Sequence, residues 1–101
     1  MLKKQFLKAK SVCKVTFYLP QQISGESAFL VGDFNGWDES ATAMERLKDG
    51  RFKVTLDLEK GMEYQFRYWV DGEWHNDWDA DSYVANPFSG DNSVVSTTDD
   101  E

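Results

Sequence analysis

Hydrophobic positions in this chain recur mostly at intervals of two. From Val12 to Leu19, Cys13, Val15, Phe17 and Leu19 fall on one side and Lys14, Thr16 and Tyr18 on the other, the period of a half-buried strand. Pro20 lacks a ladder donor and ends the run; the polar stretch Gln21 to Glu26, with Gly25 inside it, predicts a turn. Ala28 to Val31 is a short continuous apolar run, which predicts a strand covered on both faces or close to a sheet centre. Gly32, Asp33, Asn35 and Gly36 then break the pattern and leave Phe34 and Trp37 as bulky residues in a loop.

Ser40 to Leu47 predicts a loop with at most one turn of helix, or a brief strand at Met44 to Leu47. Asp49-Gly50 predicts a two-residue hairpin, since both central residues of the favoured turn need positive φ. Beyond it Phe52, Val54, Leu56 and Leu58 alternate with Arg51, Lys53, Thr55 and Asp57. After a turn at Gly61, Tyr64, Phe66, Tyr68 and Val70 alternate with Gln65, Arg67 and Trp69. Asp71-Gly72 predicts a second hairpin, which delivers Trp74 onto a short strand. Asn76 to Ser89 reads as a loop carrying Trp78, Tyr83 and Phe88, and Asn92 to Thr97 as a closing strand.

Six or seven short strands separated by Gly- and Asp-rich turns, with no sustained helical period, predict an all-β antiparallel sandwich. The 101 residues suffice for one hydrophobic core and not two, and no repeat divides the chain. The expected organisation is an N-terminal tail over 1–10, one domain over 11–98 and an acidic C-terminal tail over 99–101. Lys3, Lys4, Lys8, Lys10 and Lys14 cluster near the start and Asp99, Asp100 and Glu101 close the chain; both runs read as solvated termini.

Charge narrows the partners. A formal net charge of −7 disfavours a phosphate backbone, which needs clustered cations, and an anionic membrane surface. No stretch approaches the length of a membrane span, and Met1 to Lys10 lacks the apolar core of a signal peptide. The single cysteine, Cys13, sits in a strand pattern and reads as a buried small residue; with no internal disulfide possible, a cytoplasmic location is expected.

Catalytic chemistry finds little to work with. His75 is the lone histidine and reads as a turn residue, and one His with one Cys cannot make a zinc site. Asp77, Asp79 and Asp81 alternate like the start of a calcium loop, but Ser82 stands where the turn glycine is needed and Phe88 where the bidentate Glu is needed. A solvated acidic loop is the expectation there. Eighteen acidic residues could supply a glycosidase pair, but a sandwich this small seldom offers the deep cleft such a pair requires. No enzyme activity, cofactor or metal is expected.

What remains is aromatic. Four tryptophans, four tyrosines and seven phenylalanines exceed the needs of turns, and flat rings can serve either a core or an exposed platform. A sugar presents C–H groups on one face and hydroxyls at its rim. Trp37 in its Gly-bounded loop and Trp74 past its hairpin suit such a platform, and suit core packing equally well. Arg67 shares an outer face with Trp69, where it could reach a hydroxyl or pair with a cross-strand acid.

Taken in order, Phe29-Leu30-Val31-Gly32-Asp33-Phe34-Asn35-Gly36-Trp37, then Tyr64 to Trp74, Asn86-Pro87-Phe88 and Asn92-Ser93-Val94-Val95 resemble the early-set domain on the N-terminal side of isoamylases and glycogen branching enzymes. That domain is also called the family-48 carbohydrate-binding module, and the chain is similar as well to the glycogen-binding domain of the AMP-activated protein kinase beta subunit. The resemblance covers about Val12 to Thr97. It implies an immunoglobulin-like sandwich and α-1,4-linked glucan as ligand. It implies further that Trp37 and Trp74 stack on glucose rings, that Arg67 and Asn92 direct hydrogen bonds to hydroxyls, and that Phe88 inserts against the sugar. Gly90 stands where the kinase-type domain carries a threonine, one hydroxyl contact fewer. The expected function is a stand-alone α-glucan-binding module. The alternative is an interaction module that docks onto a glucan-metabolising enzyme or regulator without binding sugar, through an apolar patch around Trp69.

Overall fold

The computed structural model describes residues 2–7, 11–20, 23, 25–77, 80–85 and 90–98. Among them the strands are β1 (Leu2–Phe6), β2 (Val12–Tyr18), β3 (Ala28–Gly32), β4 (Glu45–Arg46), β5 (Phe52–Glu59), β6 (Glu63–Val70), β7 (Glu73–His75), β8 (Ser82–Ala85) and β9 (Asp91–Ser96), with one 3-10 turn at Asp33–Asn35. They form two antiparallel sheets, β1-β2-β5-β4 and β3-β6-β9-β8, with β7 added to β6. The alternation seen in sequence becomes burial. Cys13, Val15 and Phe17 of β2 and Leu58 of β5 meet Leu30 of β3, Phe66, Tyr68 and Val70 of β6 and Val95 of β9 in one core between the sheets. Its centre is aromatic: Phe66 packs edge-on against Phe17 at 5.0 Å and against Tyr68 at 5.6 Å, each such pair adding about 1 kcal/mol beyond its buried area. No helix among the described residues is long and apolar enough to cross a membrane.

Register explains how β6 organises its sheet. Phe66 pairs with both Gly32 of β3 and Ser93 of β9, so those strands flank β6 on opposite sides. Val70 pairs with both Ala28 and Glu73, so β7 continues the β9 side past the end of β9. On the outer edge of β3, Met44 N–H donates to Ala28 O and Leu30 N–H to Thr42 O, both at 2.9 Å. The chain then crosses at once to β4 on the opposite sheet.

Two strands fall where none was expected. Leu2–Phe6, read as part of a tail, is β1 on the edge of the first sheet: Leu2 and Phe6 pack on the core. Lys4 Nζ reaches across to Asp81 Oδ2 at 2.6 Å, and the same oxygen accepts the Ser96 N–H at 2.8 Å. The backbone of Leu2–Phe6 is thus paired into the sheet, while Lys3, Lys4 and Gln5 keep exposed side chains. Ser82–Ala85, read as loop, is β8, an edge strand with every residue exposed. With neither face buried it leaves no period for a sequence to show.

The hairpins also divide. At Asp71 and Gly72 φ is +48° and +84°, as a type I′ turn requires. The Asp71 carboxylate accepts the Glu26 and Ser27 backbone N–H groups, which hold its pKa below the usual carboxylate value. At Asp49-Gly50 only Gly50 is positive, at +90°. Gly50 N–H donates to Leu47 O and Leu47 N–H to Arg51 O. The connection is therefore a three-residue loop, a type I turn closed by a left-handed glycine, and not the two-residue turn expected.

Asp77 is a second correction. Expected in a solvated acidic loop, it is fully buried: its Oδ2 accepts the Tyr68 hydroxyl at 2.7 Å, its N–H donates to Ser93 Oγ and its carbonyl accepts the Tyr83 hydroxyl. The residue serves the interior, while Asp79 lies outside the described residues. Burial, and then the charge of Asp77, hold the Tyr68 phenol well above its ordinary pKa of 10.0. Because the folded state keeps this proton more tightly than the unfolded chain, the contribution is intact below pH 10 and is lost as pH rises above that value toward the folded-state pKa. Tyr68→Phe is expected to cost about 1–3 kcal/mol at neutral pH, since it leaves a buried carboxylate one donor short. It should also flatten the alkaline fall in Tm relative to the parent, which thermal melts from pH 7 to 11 check.

Candidate functional site

Strand alternation places Gln65, Arg67 and Trp69 on the face of β6 turned away from the core, between the buried Phe66, Tyr68 and Val70. β7 sets Trp74 directly opposite Trp69. The two indoles meet with ring centres 4.5 Å apart and planes inclined by 59°, and the Arg67 guanidinium lies over the Trp74 ring at 5.7 Å. Trp74 nevertheless stays 37% exposed. Arg67 Nε is buried and has no hydrogen-bond acceptor among the described residues.

The second tryptophan comes from the loop after β3. Asn35 shapes that loop: its Oδ1 accepts the Gly32 N–H at 3.1 Å and its Nδ2 donates to Leu30 O at 2.8 Å and Thr42 Oγ1 at 3.0 Å. Gly36 and Trp37 are both left-handed, φ +68° and +59°, and Trp37 N–H closes back onto Gly32 O. A tryptophan in that region stores on the order of 1–3 kcal/mol of strain, a feature that concentrates at binding sites. The Trp37 indole is half-buried, and its Nε1–H donates to Asp33 Oδ1 at 2.9 Å. The other oxygen of Asp33 accepts the Gln65 backbone N–H at 2.8 Å.

Asn92 is 8% exposed and donates from Nδ2 to Gln65 Oε1 at 3.0 Å. Hydrogen bonds therefore run from Trp37 through Asp33 and Gln65 to Asn92, and a ring-and-cation cluster joins Arg67 and Trp69, farther along β6, to Trp74 on β7. Neither Trp37 nor Trp74 is taken into the core. Phe88, Trp78 and the Asn86-Pro87-Phe88 segment lie outside the described residues. Sequence reasoning named Trp37, Arg67, Trp74 and Asn92 but gave Asp33 and Gln65 no role and assigned Trp69 only to an apolar patch. Gln65 shares the two-residue period of Arg67 and Trp69 and was open to the same reading.

Chemically the face offers flat apolar rings, a guanidinium and amides. It offers no nucleophile with a base and no metal cluster: among the described residues no three His, Cys, Asp or Glu side chains gather. His75 is half-buried on β7. A cleft of about 320 Å³ lined by Leu19, Pro20, Ile23, Arg46 and Phe52, among others, shares no residue with this face.

Residues 13–100 match the family described as the glycogen recognition site of AMP-activated protein kinase. Residues of the chain are 37% identical over 62 positions to the chloroplastic protein FLOURY ENDOSPERM 6 of Oryza sativa subsp. japonica, covering 61% of this chain and 11% of that protein. They are 36% identical over 53 positions to 5'-AMP-activated protein kinase subunit beta-2 of Homo sapiens, covering 52% of this chain and 18% of that one. The mouse subunit matches to the same extent. The matches thus span less than a fifth of each relative.

Proposed function

Because the chain belongs to the family of the glycogen recognition site of AMP-activated protein kinase, we propose that it binds α-1,4-linked glucan on the outer face of β6, β7 and the β3 loop. Trp74 and Trp37 take the apolar faces of glucose rings, Arg67 donates to a hydroxyl, and Asn92 and Gln65 border the path. The observation that carries this reading is the Trp74 cluster: an exposed indole packed against Trp69 and beside the Arg67 guanidinium. A hydroxyl of a stacked sugar accepts from the terminal nitrogens of that guanidinium. An open aromatic face needs no enclosed cavity, which fits the separation of this site from the cleft at Leu19 and Phe52. In this reading the module binds and does not catalyse.

Stacking on an open surface gives weak affinity for a single chain, on the order of 0.1–1 mM, and repeated chain ends on branched glycogen raise the apparent affinity. The test is a titration of the purified chain with maltoheptaose and with glycogen, followed by tryptophan emission. A saturable change is expected with both, at lower glucose-equivalent concentration for glycogen, and none with a β-1,4-linked cello-oligosaccharide. No response to either α-glucan would overturn the proposal, as would an equal response to the β-linked control.

A further inference from the structure

We propose that Asp33 is the positioning residue of this face: its carboxylate fixes the plane of the Trp37 indole against β6 before any ligand arrives. The inference rests on the glucan reading and goes beyond it to a residue that touches no sugar. Asp33 stands at the first position of the 3-10 turn after β3, just past the last ladder pair, Gly32 with Phe66. Each carboxylate oxygen has a separate donor. Oδ1 takes the indole Nε1–H of Trp37 at 2.9 Å, and Oδ2 takes the Gln65 backbone N–H at 2.8 Å. One side chain thus connects a loop aromatic to the backbone of the central strand.

Two consequences follow for recognition. A tryptophan on a loop would otherwise sample several rotamers, and ordering such a side chain on binding costs about 0.5–1.5 kcal/mol. Here the order is present in the free protein, set by charge-assisted hydrogen bonds that are among the stronger kinds. The indole's only donor is also already used, so Trp37 offers a sugar its apolar face and no hydrogen bond. Selectivity for the C–H face of a pyranose over an amphipathic ligand seeking an indole N–H comes from that choice. Gln65 carries the link onward, because Asn92 donates to its side-chain oxygen; the orientation of Trp37 is thereby referred to β9 as well as β6.

A double-mutant cycle with maltoheptaose tests the inference. Asp33→Asn keeps the shape but turns an amide N–H₂ toward one of the two donors. It is expected to weaken binding about three- to tenfold, the affinity equivalent of re-ordering one large side chain. In the Trp37→Ala background the same substitution should change affinity by less than about 1.5-fold, because a residue acting only through Trp37 has nothing left to position. A merely structural role would weaken both backgrounds alike, and that result overturns the proposal. So does unchanged affinity in a folded Asp33→Asn protein. A second measurement uses the parent alone: the Trp37 indole proton should be protected from hydrogen exchange in the unliganded state, and exchange at the rate of a free indole overturns the proposal even if the Asp33 variant fails to fold. If the parent binds no maltoheptaose, the glucan reading has failed, and the exchange experiment still decides the position of Trp37.

Discussion

Trp74→Ala is expected to weaken maltoheptaose binding by about 2 kcal/mol, or roughly 30-fold, and to leave the melting temperature nearly unchanged. The argument is one of placement. Trp74 sits on the three-residue strand β7 and is 37% exposed, outside the core cluster, so its removal opens no cavity between the sheets. What its removal does take away is the exposed ring that packs against Trp69 and Arg67. With the indole gone, the hydroxyl nearest the Arg67 guanidinium is no longer held there by the stacked ring. Trp37→Ala should have a smaller effect on affinity and a larger one on stability, since that ring is half-buried and bonded to Asp33. Calorimetric titration with thermal melts of both variants checks this order. Equal affinities of the parent and a folded Trp74→Ala protein would remove Trp74 from the site.

The largest loss of stability from one small change is expected at Gly32. Its backbone is extended, so conformational freedom is not the reason. A Cβ built there would lie 2.5 Å from Gln65 O, 2.9 Å from Phe66 Cβ and 2.9 Å from Phe34 Cζ. The Phe34 ring could turn aside, but the Gln65 carbonyl and the Phe66 Cβ belong to the central strand and cannot. Gly32→Ala must therefore push β3 off β6, an overpacking cost of about 3 kcal/mol, or a fall in Tm of roughly 10–20 °C for a domain of this size. The displaced segment leads directly into Asp33, so glucan affinity should fall with stability even at temperatures where the variant is folded. A Tm within a few degrees of the parent would mean that the strands are not so close.

The sandwich was legible where a strand buries one face. β2, β5 and β6 each place apolar residues at every second position, and the structure buries most of those positions, with Val54, Leu56 and Tyr64 partly buried against the core. Asp71-Gly72 was legible because both of its residues meet the stereochemical demand of a tight hairpin. β1 and β8 were not. In the first, Lys3, Lys4 and Gln5 separate the two apolar residues, and the second lies on an edge with all its side chains exposed, so neither shows an alternating apolar face. Asp49-Gly50 has the same letters as a two-residue turn, but its geometry is set by where Leu47 and Arg51 pair. Asp77 was misplaced because an aspartate gives no hint of burial until its partner, Tyr68, is brought over it by the fold.

The candidate face shows the same division. Arg67 and Trp69 could be put on one side of a strand by counting, and Trp37 and Trp74 could be placed in or beside turns. The pairing of Trp69 with Trp74 required knowing that β7 adds to β6 in that register. Asp33 could not be distinguished from an ordinary turn residue, because its two hydrogen bonds go to a side chain four residues on and to a strand 32 residues away.

The most direct test of the account is a ¹H–¹⁵N spectrum of the four indole groups recorded during titration with maltoheptaose. The Trp37 and Trp74 signals should move together along one saturation curve, with the backbone amides of Gln65, Arg67 and Asn92 following them. Movement confined to residues around the cleft at Leu19, Arg46 and Phe52, or no movement of either indole at saturating sugar, would contradict it.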